Sequence, residues 1–368
     1  MKIIFTGGGT GGHIYPILAI INRLKERGLA TNDDILFVGT EKGLESKIIP
    51  AAGINFKTIK IQGFNRKHPL KNFETIELFL KATKRARELI REFKPDLVLG
   101  TGGYVSGAIV YEAAKLKIPT MIHESNSVVG LANKFLAYYV DRICYTFDDA
   151  AKQFSEKKKL VKTGNPRSQQ VLNINAIPVE LTDLGLDPAN PTVLVFGGSR
   201  GALAINRIML QSLKDLREKP YQLIWATGTY YYDAIQKKLV DYSLGTNIKI
   251  LPYIKNMPGL LPEMTCVVAR SGATSIAEFT ALGVPAILIP SPNVTHNHQM
   301  KNAQDLEDQG AALVIPEDDL NPNNFVASID HLLLDTKAAH EMATASKKIG
   351  TPDSADQVIK VMQTIIRS

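Results

Sequence analysis

The sequence predicts an α/β protein built of two doubly wound, Rossmann-like domains that face one another across a cleft. Three observations carry this. Short apolar runs bounded by glycine or proline alternate with longer amphipathic stretches, the pattern of parallel sheets with helices on both faces. The pattern occurs twice: KIIFTGGGTGGHIYPILAIINRL and TVLVFGGSRGALAINRIMLQSL share the order strand, glycine turn, helix. The chain has 368 residues, which suits two domains of roughly 150–200 residues each better than one average core.

Taken in chain order, the strands are expected at KIIFT, DILFVG, DLVLG, TMIHE, TVLVFG, QLIWAT, CVVAR and AILIP. Helical periodicity marks Ile17–Arg27, Phe73–Phe93 and Ile205–Leu216. In the second of these, Ile76, Phe79, Thr83, Ala86, Ile90 and Phe93 keep a spacing of three or four and predict one core stripe. The polar, Pro-containing stretch from Gly164 to Pro191 reads as the join. This divides the chain into a first domain over 1–163, a linker over 164–190 and a second domain over 191–352. The amphipathic tail, 353–368, is expected to return to the first domain. Ligands of such domains bind at the carboxyl ends of the strands.

Composition excludes several classes. The only cysteines, Cys144 and Cys266, have no metal or disulfide spacing, which argues for a reducing compartment. Gly7 to Gly12 interrupt the first apolar run too early for a signal peptide, and no run approaches the roughly 18 residues of a membrane span. The net charge is +7, and between Lys60 and Lys94 ten Lys/Arg face four Asp/Glu. No nucleic-acid-binding motif accompanies that stretch, so anionic lipid fits it better, at about 1 kcal/mol per basic residue.

Gly7-x-Gly9-x-x-Gly12 formally satisfies a dinucleotide fingerprint, which also wants a carboxylate about 20 residues on, at the end of the second strand. Asp33 and Asp34 precede that strand and Glu41 follows it late, so a nicotinamide site is poorly supported. The turn can still hold an anion, because glycines admit close backbone approach and a helix N-terminus favours negative charge. In the second turn, GGSRGA, Ser199 can add a hydroxyl. His13 is not needed by a plain phosphate cradle. A helix N-terminus favours its neutral imidazole, which can accept a proton from a hydroxyl delivered there.

The motifs GGGTGGHIYP, TGGYVSG, HESNSVVGLANKFL, TGNPR, FGGSRGALAIN, RSGATSIAEFTALGVPAILIP and HNHQMKNA follow in this order along essentially the whole chain. Together they resemble the bacterial enzymes that add N-acetylglucosamine to the lipid-linked muramoyl-pentapeptide of peptidoglycan. The resemblance implies the two-domain glycosyltransferase B fold and inverting transfer from UDP-N-acetylglucosamine to the muramoyl C4 hydroxyl. It implies no cofactor, the nucleotide sugar being a substrate. It further implies that Arg270 and Ala273 to Ser275 hold UDP within a motif that runs on through Ile276 and Ala277 to Glu278, the reader of the ribose hydroxyls. Ile254 matches the backbone reader of uracil, and Gln299 the reader of the donor sugar; His298 stands where some relatives carry a second glutamine. Arg167 reaches toward the donor, and Thr10, Gly11, Gly12 and Asn126 line the cleft. Tyr104 and Asn133 fall on the acceptor side, and the acceptor's lipid diphosphate then belongs to Gly8 and Gly9. His13 is the expected base, with Glu124 as the alternative. His296 and His298 have no carboxylate cluster beside them, and no Asp-x-Asp occurs, so a donor site without metal is expected.

The expected partners are the two substrates, an anionic membrane surface and other wall-synthesis or division proteins; no nucleic acid is expected. Phe64, Arg66, Lys67, Lys71 and Phe73 are the expected membrane contacts on the cytoplasmic face. Three alternatives stay open: another lipid-directed UDP-sugar transferase, a UDP-N-acetylglucosamine 2-epimerase that needs no lipid, and an NAD-binding oxidoreductase.

Overall fold

A computed structural model describes residues 1–63, 72–172, 178–198, 201–240 and 242–367. The chain forms two compact units, Met1–Arg167 with the tail from Asp353, and Ser168–Pro352.

The first unit is a seven-stranded parallel sheet of β1 (Ile3–Thr6), β2 (Ile35–Gly39), β3 (Asn55–Thr58), β4 (Leu97–Gly100), β5 (Thr120–Glu124), β6 (Arg142–Tyr145) and β7 (Leu160–Lys162), ordered β3-β2-β1-β4-β5-β6-β7. The order reverses between β1 and β4, the position at which such sheets open a crevice. Alternate residues of β1 point to opposite faces, as the strand period requires. Ile4 joins a core with the helices Asn72–Phe93 and Tyr104–Lys115, while Ile3 and Phe5 join one with the helix Gly11–Glu26.

The tail helix, Ser354–Arg367, places Val358, Ile359, Met362 and Ile365 in that second core. Four such side chains at roughly 1.5–3 kcal/mol each outweigh the half-exposed pairing of Arg23 and Arg27 with Asp356.

The second unit repeats the plan with β8 (Thr192–Phe196), β9 (Gln222–Ala226), β10 (Ile248–Leu251), β11 (Cys266–Ala269), β12 (Ala286–Leu288) and β13 (Leu313–Val314), ordered β10-β9-β8-β11-β12-β13. Every pairing in both sheets is parallel. Asn206, in the helix after the second glycine turn, accepts from Trp225 Nε1–H (3.0 Å) and donates to Thr227 O (2.9 Å). The asparagine of the FGGSRGALAIN motif is therefore a packing residue that fixes this helix against β9.

The stretch expected as a linker is divided. Its first four residues belong to the first unit and the rest to the second. Leu181 and Leu186 are buried there, and Val179 N–H donates to Gly259 O (3.0 Å), which ties this stretch into the second unit. The stripe expected on Phe73–Phe93 is shifted: Ala82, Ala86, Leu89 and Ile90 are buried, while Phe79, Thr83 and Phe93 are half-buried.

Candidate active site

In the first unit the turns after β1 and β4 lie side by side. Ser106 is buried, with Oγ 3.0 Å from Thr6 O and 2.8 Å from Gly102 O, and it accepts from Gly102 N–H (3.2 Å). Thr101 Oγ1 donates to His13 O (2.7 Å). Gly102 and Gly103 have φ of 122° and 81°; a Cβ on Gly103 would come within 2.8 Å of Gly8 O. Only glycine fits so close a backbone approach.

His13 stands between the two turns. Its Nδ1 is 2.8 Å from Gly8 O. A carbonyl only accepts, so Nδ1 carries the proton, and Nε2 of the neutral ring keeps a bare lone pair. A Cβ on Gly102 would lie 2.9 Å from that Nε2, so this edge of the ring lies against Gly102, where any side chain would crowd it. The helix Gly11–Glu26 begins with no side-chain cap and no acidic residue in its first turn, and Thr10 precedes it in extended conformation. Its first N–H groups are therefore available to an anion.

Glu45, not singled out from sequence, alters the reading of the turn. It is fully buried, and its carboxylate accepts from Gly9 N–H (3.1 Å), Thr40 N–H (3.0 Å) and Thr40 Oγ1–H (2.6 Å). Burial opposes its ionisation, but hydrogen bonds from Thr40 and Gly9 outweigh that and hold the carboxyl below its ordinary range. Gly8 is buried and the Gly9 N–H is already taken by Glu45, so neither stands as the open donor expected there, while the helix start at Gly11 and Gly12 has no side-chain cap.

Glu124 ends β5 and is buried. Its carboxylate accepts from Asn126 N–H (3.1 Å), Gly130 N–H (3.0 Å) and Asn133 Nδ2 (2.9 Å), with Asn126 Nδ2 at 3.4 Å. This carboxylate ties the loop that carries Asn126 to the short helix Leu131–Leu136 that carries Asn133, and its lone pairs are already engaged. Asn133 Oδ1 is buried without a partner. Tyr104 opens its helix about half exposed, its ring against Gly63. The Arg167 guanidinium lies 5.7 Å from the centre of the Tyr15 ring, a cation–π contact on the His13 helix.

His123, also unnoticed in the sequence, is fully buried; Nε2–H donates to Gly164 O (2.9 Å) and Nδ1 accepts from Ser125 Oγ–H (3.2 Å). Burial pushes its pKa down to about 4, against the Gly164 carbonyl, which favours the charged ring. The unfolded chain therefore binds a proton below about pH 6.5 that the fold refuses until about pH 4. Stability should fall by about 3 kcal/mol as pH drops through that window. Chemical unfolding at pH 7.5, 5.5 and 4.5 checks this, with His123→Gln expected to lose that part of the slope. An unchanged slope in the variant counts against it.

In the second unit β11 runs into Arg270, Ser271 and Gly272, and the helix Ala273–Leu282 follows. Gly272 caps it without a side-chain bond, its first turn has no acid, and Thr274 Oγ1 is buried without a partner. The N–H groups of Ala273, Thr274 and Ser275 thus open a helix with nothing of its own to balance their charge. Ile276, Ala277 and Glu278 follow, all buried, and Ile254 is buried after β10.

Ser271 Oγ donates to Gln299 O (2.8 Å) and Asn302 Nδ2 to Ser271 O (3.1 Å), so the helix His298–Glu307 is pinned to this turn. His296 and Asn297 enter that helix with φ of 56° and 50°, left-handed for two residues that are not glycine. A cavity of about 430 Å³ is lined by Gly197, Gly201, Tyr231, Arg270, Ser291 and Gln299, among others. Ser199 lies outside the described residues. A larger depression, about 640 Å³, lies on Lys214, Arg217 and Asp330, where Lys219 already pairs with Asp330 at 2.5 Å. Among the described residues no group of three or more His, Cys, Asp or Glu is placed to hold a metal ion.

Residues 3–145 match the glycosyltransferase family 28 N-terminal domain and residues 192–358 the glycosyltransferase family 28 C-terminal domain. The chain belongs to glycosyltransferase family 28. A relative from Lactobacillus helveticus is 79% identical over 368 residues, all of both chains. It is named UDP-N-acetylglucosamine--N-acetylmuramyl-(pentapeptide) pyrophosphoryl-undecaprenol N-acetylglucosamine transferase. The crystal structure of Acinetobacter baumannii MurG matches with a TM-score of 0.78 at 28% identity, over 98% of this chain and 99% of that one. UDP-GlcNAc 2-epimerase from Neisseria meningitidis, bound to UDP-GlcNAc, matches at 0.68 and 15% identity over 99% and 100% of the chains, a likeness of fold alone. The family resemblance read from the motifs is borne out, as are the two parallel-sheet α/β domains.

Proposed function

We propose that this chain transfers N-acetylglucosamine from UDP-N-acetylglucosamine to the C4 hydroxyl of the muramoyl sugar in undecaprenyl-diphospho-N-acetylmuramoyl-pentapeptide, with inversion. Its relatives' names supply the substrates. The observation that carries the chemistry is His13, with Nδ1–H held by Gly8 O and Nε2 bare. In a single displacement the C4 hydroxyl gives its proton to Nε2 as its oxygen attacks the anomeric carbon. The bond from that carbon to UDP breaks, and the electron pair leaves on the diphosphate. The N–H groups of Ala273 to Ser275 stabilise that charge by backbone dipoles, without a metal. Arg167 brings a guanidinium to the His13 helix, and Glu124 holds the Asn126–Asn133 segment rather than moving a proton.

The testing experiment is transfer of labelled N-acetylglucosamine to a synthetic muramoyl-diphospholipid, with and without EDTA, reading the product's anomeric configuration. A β-linked product that survives EDTA supports the reading. An α-linkage, a Mg-rescued loss, or turnover of UDP-N-acetylglucosamine without lipid overturns it, the last in favour of an epimerase.

No described helix is long and apolar enough to cross a membrane. The reading places the enzyme at a membrane surface because its acceptor carries a polyprenyl chain. Of the residues expected there, Phe64, Arg66, Lys67 and Lys71 lie outside the described residues, as does the side chain of Phe73. What supports a membrane contact is an exposed aromatic patch on the first unit. Tyr111, Phe135 and Tyr139 form a ring cluster at 4.9–5.5 Å, with Phe135, Tyr138, Tyr139, Leu80 and Leu131 exposed. Reversing Arg66, Lys67 and Lys71 to glutamate should weaken binding to anionic vesicles at least about 100-fold, each lost cation contributing about 1 kcal/mol. Unaltered vesicle binding would end the proposal for that stretch.

A further inference from the structure

Arg270 stands next to the turn assigned to the donor diphosphate, yet its guanidinium is turned elsewhere. Nη1 donates to the carbonyls of Ile289 (3.0 Å) and Pro290 (3.1 Å), and Nη2 lies 2.5 Å from the buried Glu317 Oε2 in an ion pair held by charge rather than by an aligned hydrogen bond. Both side chains of the pair are mostly buried, so solvent screens it little. The N–H of Ser291 in turn donates to Gln299 Oε1 (2.8 Å). Pro290 O and Ser291 N–H belong to one peptide plane, so holding the oxygen fixes the direction of the hydrogen. Glu317, Arg270, that peptide and the Gln299 carboxamide form one continuous line, and Arg270, Ser291, Gln299 and Glu317 all border the cavity of about 430 Å³.

We propose that Glu317 is a positioning residue for donor-sugar recognition. Through Arg270 it sets the Pro290–Ser291 peptide and thereby which end of Gln299 meets the sugar. A carboxamide is nearly symmetric in shape but opposite in polarity at its two ends. Turned over, it presents an acceptor where the sugar hydroxyl meets a donor, and the preference for one epimer is lost. Tying Oε1 to Ser291 N–H leaves Nε2 as the donating end. The arginine fork suits this task because it serves two carbonyls and a carboxylate at once, which an ammonium does less well. The inference rests on the reading that Gln299 contacts the donor sugar.

The test compares kcat/KM for UDP-N-acetylglucosamine and its C4 epimer, UDP-N-acetylgalactosamine, in the wild type, Glu317→Gln, Gln299→Ala and the double variant. UDP inhibition monitors the nucleotide site. Glu317→Gln should reduce the preference for the gluco sugar about tenfold, leave UDP inhibition within about twofold, and add nothing to Gln299→Ala. Equal losses on both sugars, or additive effects in the double variant, overturn the proposal. Full preference in Gln299→Ala overturns the reading of Gln299 instead. Arg270→Lys supplies a second variant should Glu317→Gln fold poorly. It should show the same reduced preference, and an unchanged preference there also overturns the proposal.

Discussion

His13→Ala is expected to lower kcat by roughly 10²–10⁴, the range of lost general-base catalysis, while UDP inhibition stays within about twofold. The size follows from the geometry: Nε2 is the ring nitrogen with no hydrogen-bond partner among the described residues, and the ring is oriented by a carbonyl that cannot itself take a proton. Alanine also removes the bond to Gly8 O, so a second variant separates the two effects. In His13→Asn, Nδ2 can stand in for Nδ1 and keep the turn closed, but no base remains. It should be as slow as His13→Ala. Recovery of most activity in His13→Asn would assign the residue a structural role. Glu124→Ala should also lose activity, but together with thermal stability, because four hydrogen-bond donors lose their partner. Near-normal turnover in His13→Ala beside an inactive, fully stable Glu124→Ala would transfer the role of base to Glu124.

The central strands were legible because a strand buried on both faces must be a near-continuous apolar run, as in KIIFT or DILFVG. The missed strands lack that pressure. NFKT of β3 alternates exposed and half-buried residues, β7, β10 and β13 are short and largely half-buried, and β6 carries only two buried residues, Ile143 and Cys144, between a half-buried Arg142 and Tyr145. The helix Asn72–Phe93 was legible as a helix but not in its exact face. Residues spaced by three or four can follow neighbouring ridges, and here Ala82 and Leu89 lie on the buried one. Within the site the glycine turns announce themselves, since backbone approach demands glycine whatever the ligand. Their supports do not. Glu45 folds back 36 residues to Gly9, Ser106 reaches Thr6 across 100 residues, and Glu317 meets Arg270 from behind β13. No local pattern marks a polar residue whose partner is brought to it only by the completed sheet.

Glu45→Ala is the second change expected to have a large effect, and it acts on the turn that carries His13. The substitution leaves Gly9 N–H, Thr40 N–H and the Thr40 hydroxyl without the acceptor that the buried carboxylate gives them. Three part-buried donors losing one shared acceptor should lower stability by roughly 1–3 kcal/mol, water replacing part of what is lost. Glu45→Gln should not rescue it, because its amide keeps one acceptor and turns an NH₂ toward groups that are themselves donors. The glycines around the carboxylate confirm how tightly the site is built: a Cβ on Gly8 would come within 2.6 Å of Glu45 Oε1, and one on Gly43 within 2.2 Å. Thermal unfolding and kcat should therefore fall together. His13 receives its orientation from Gly8 O, and Gly8 lies directly against the carboxylate. An unfolding temperature and turnover both equal to the wild type would show that the carboxylate does not hold the turn. If they fall, the buried carboxylate explains why this turn departs from a dinucleotide cradle. A fixed internal anion occupies the Gly9 N–H, and the uncapped start of the helix at Gly11 and Gly12, next to His13, is the part of the turn left open.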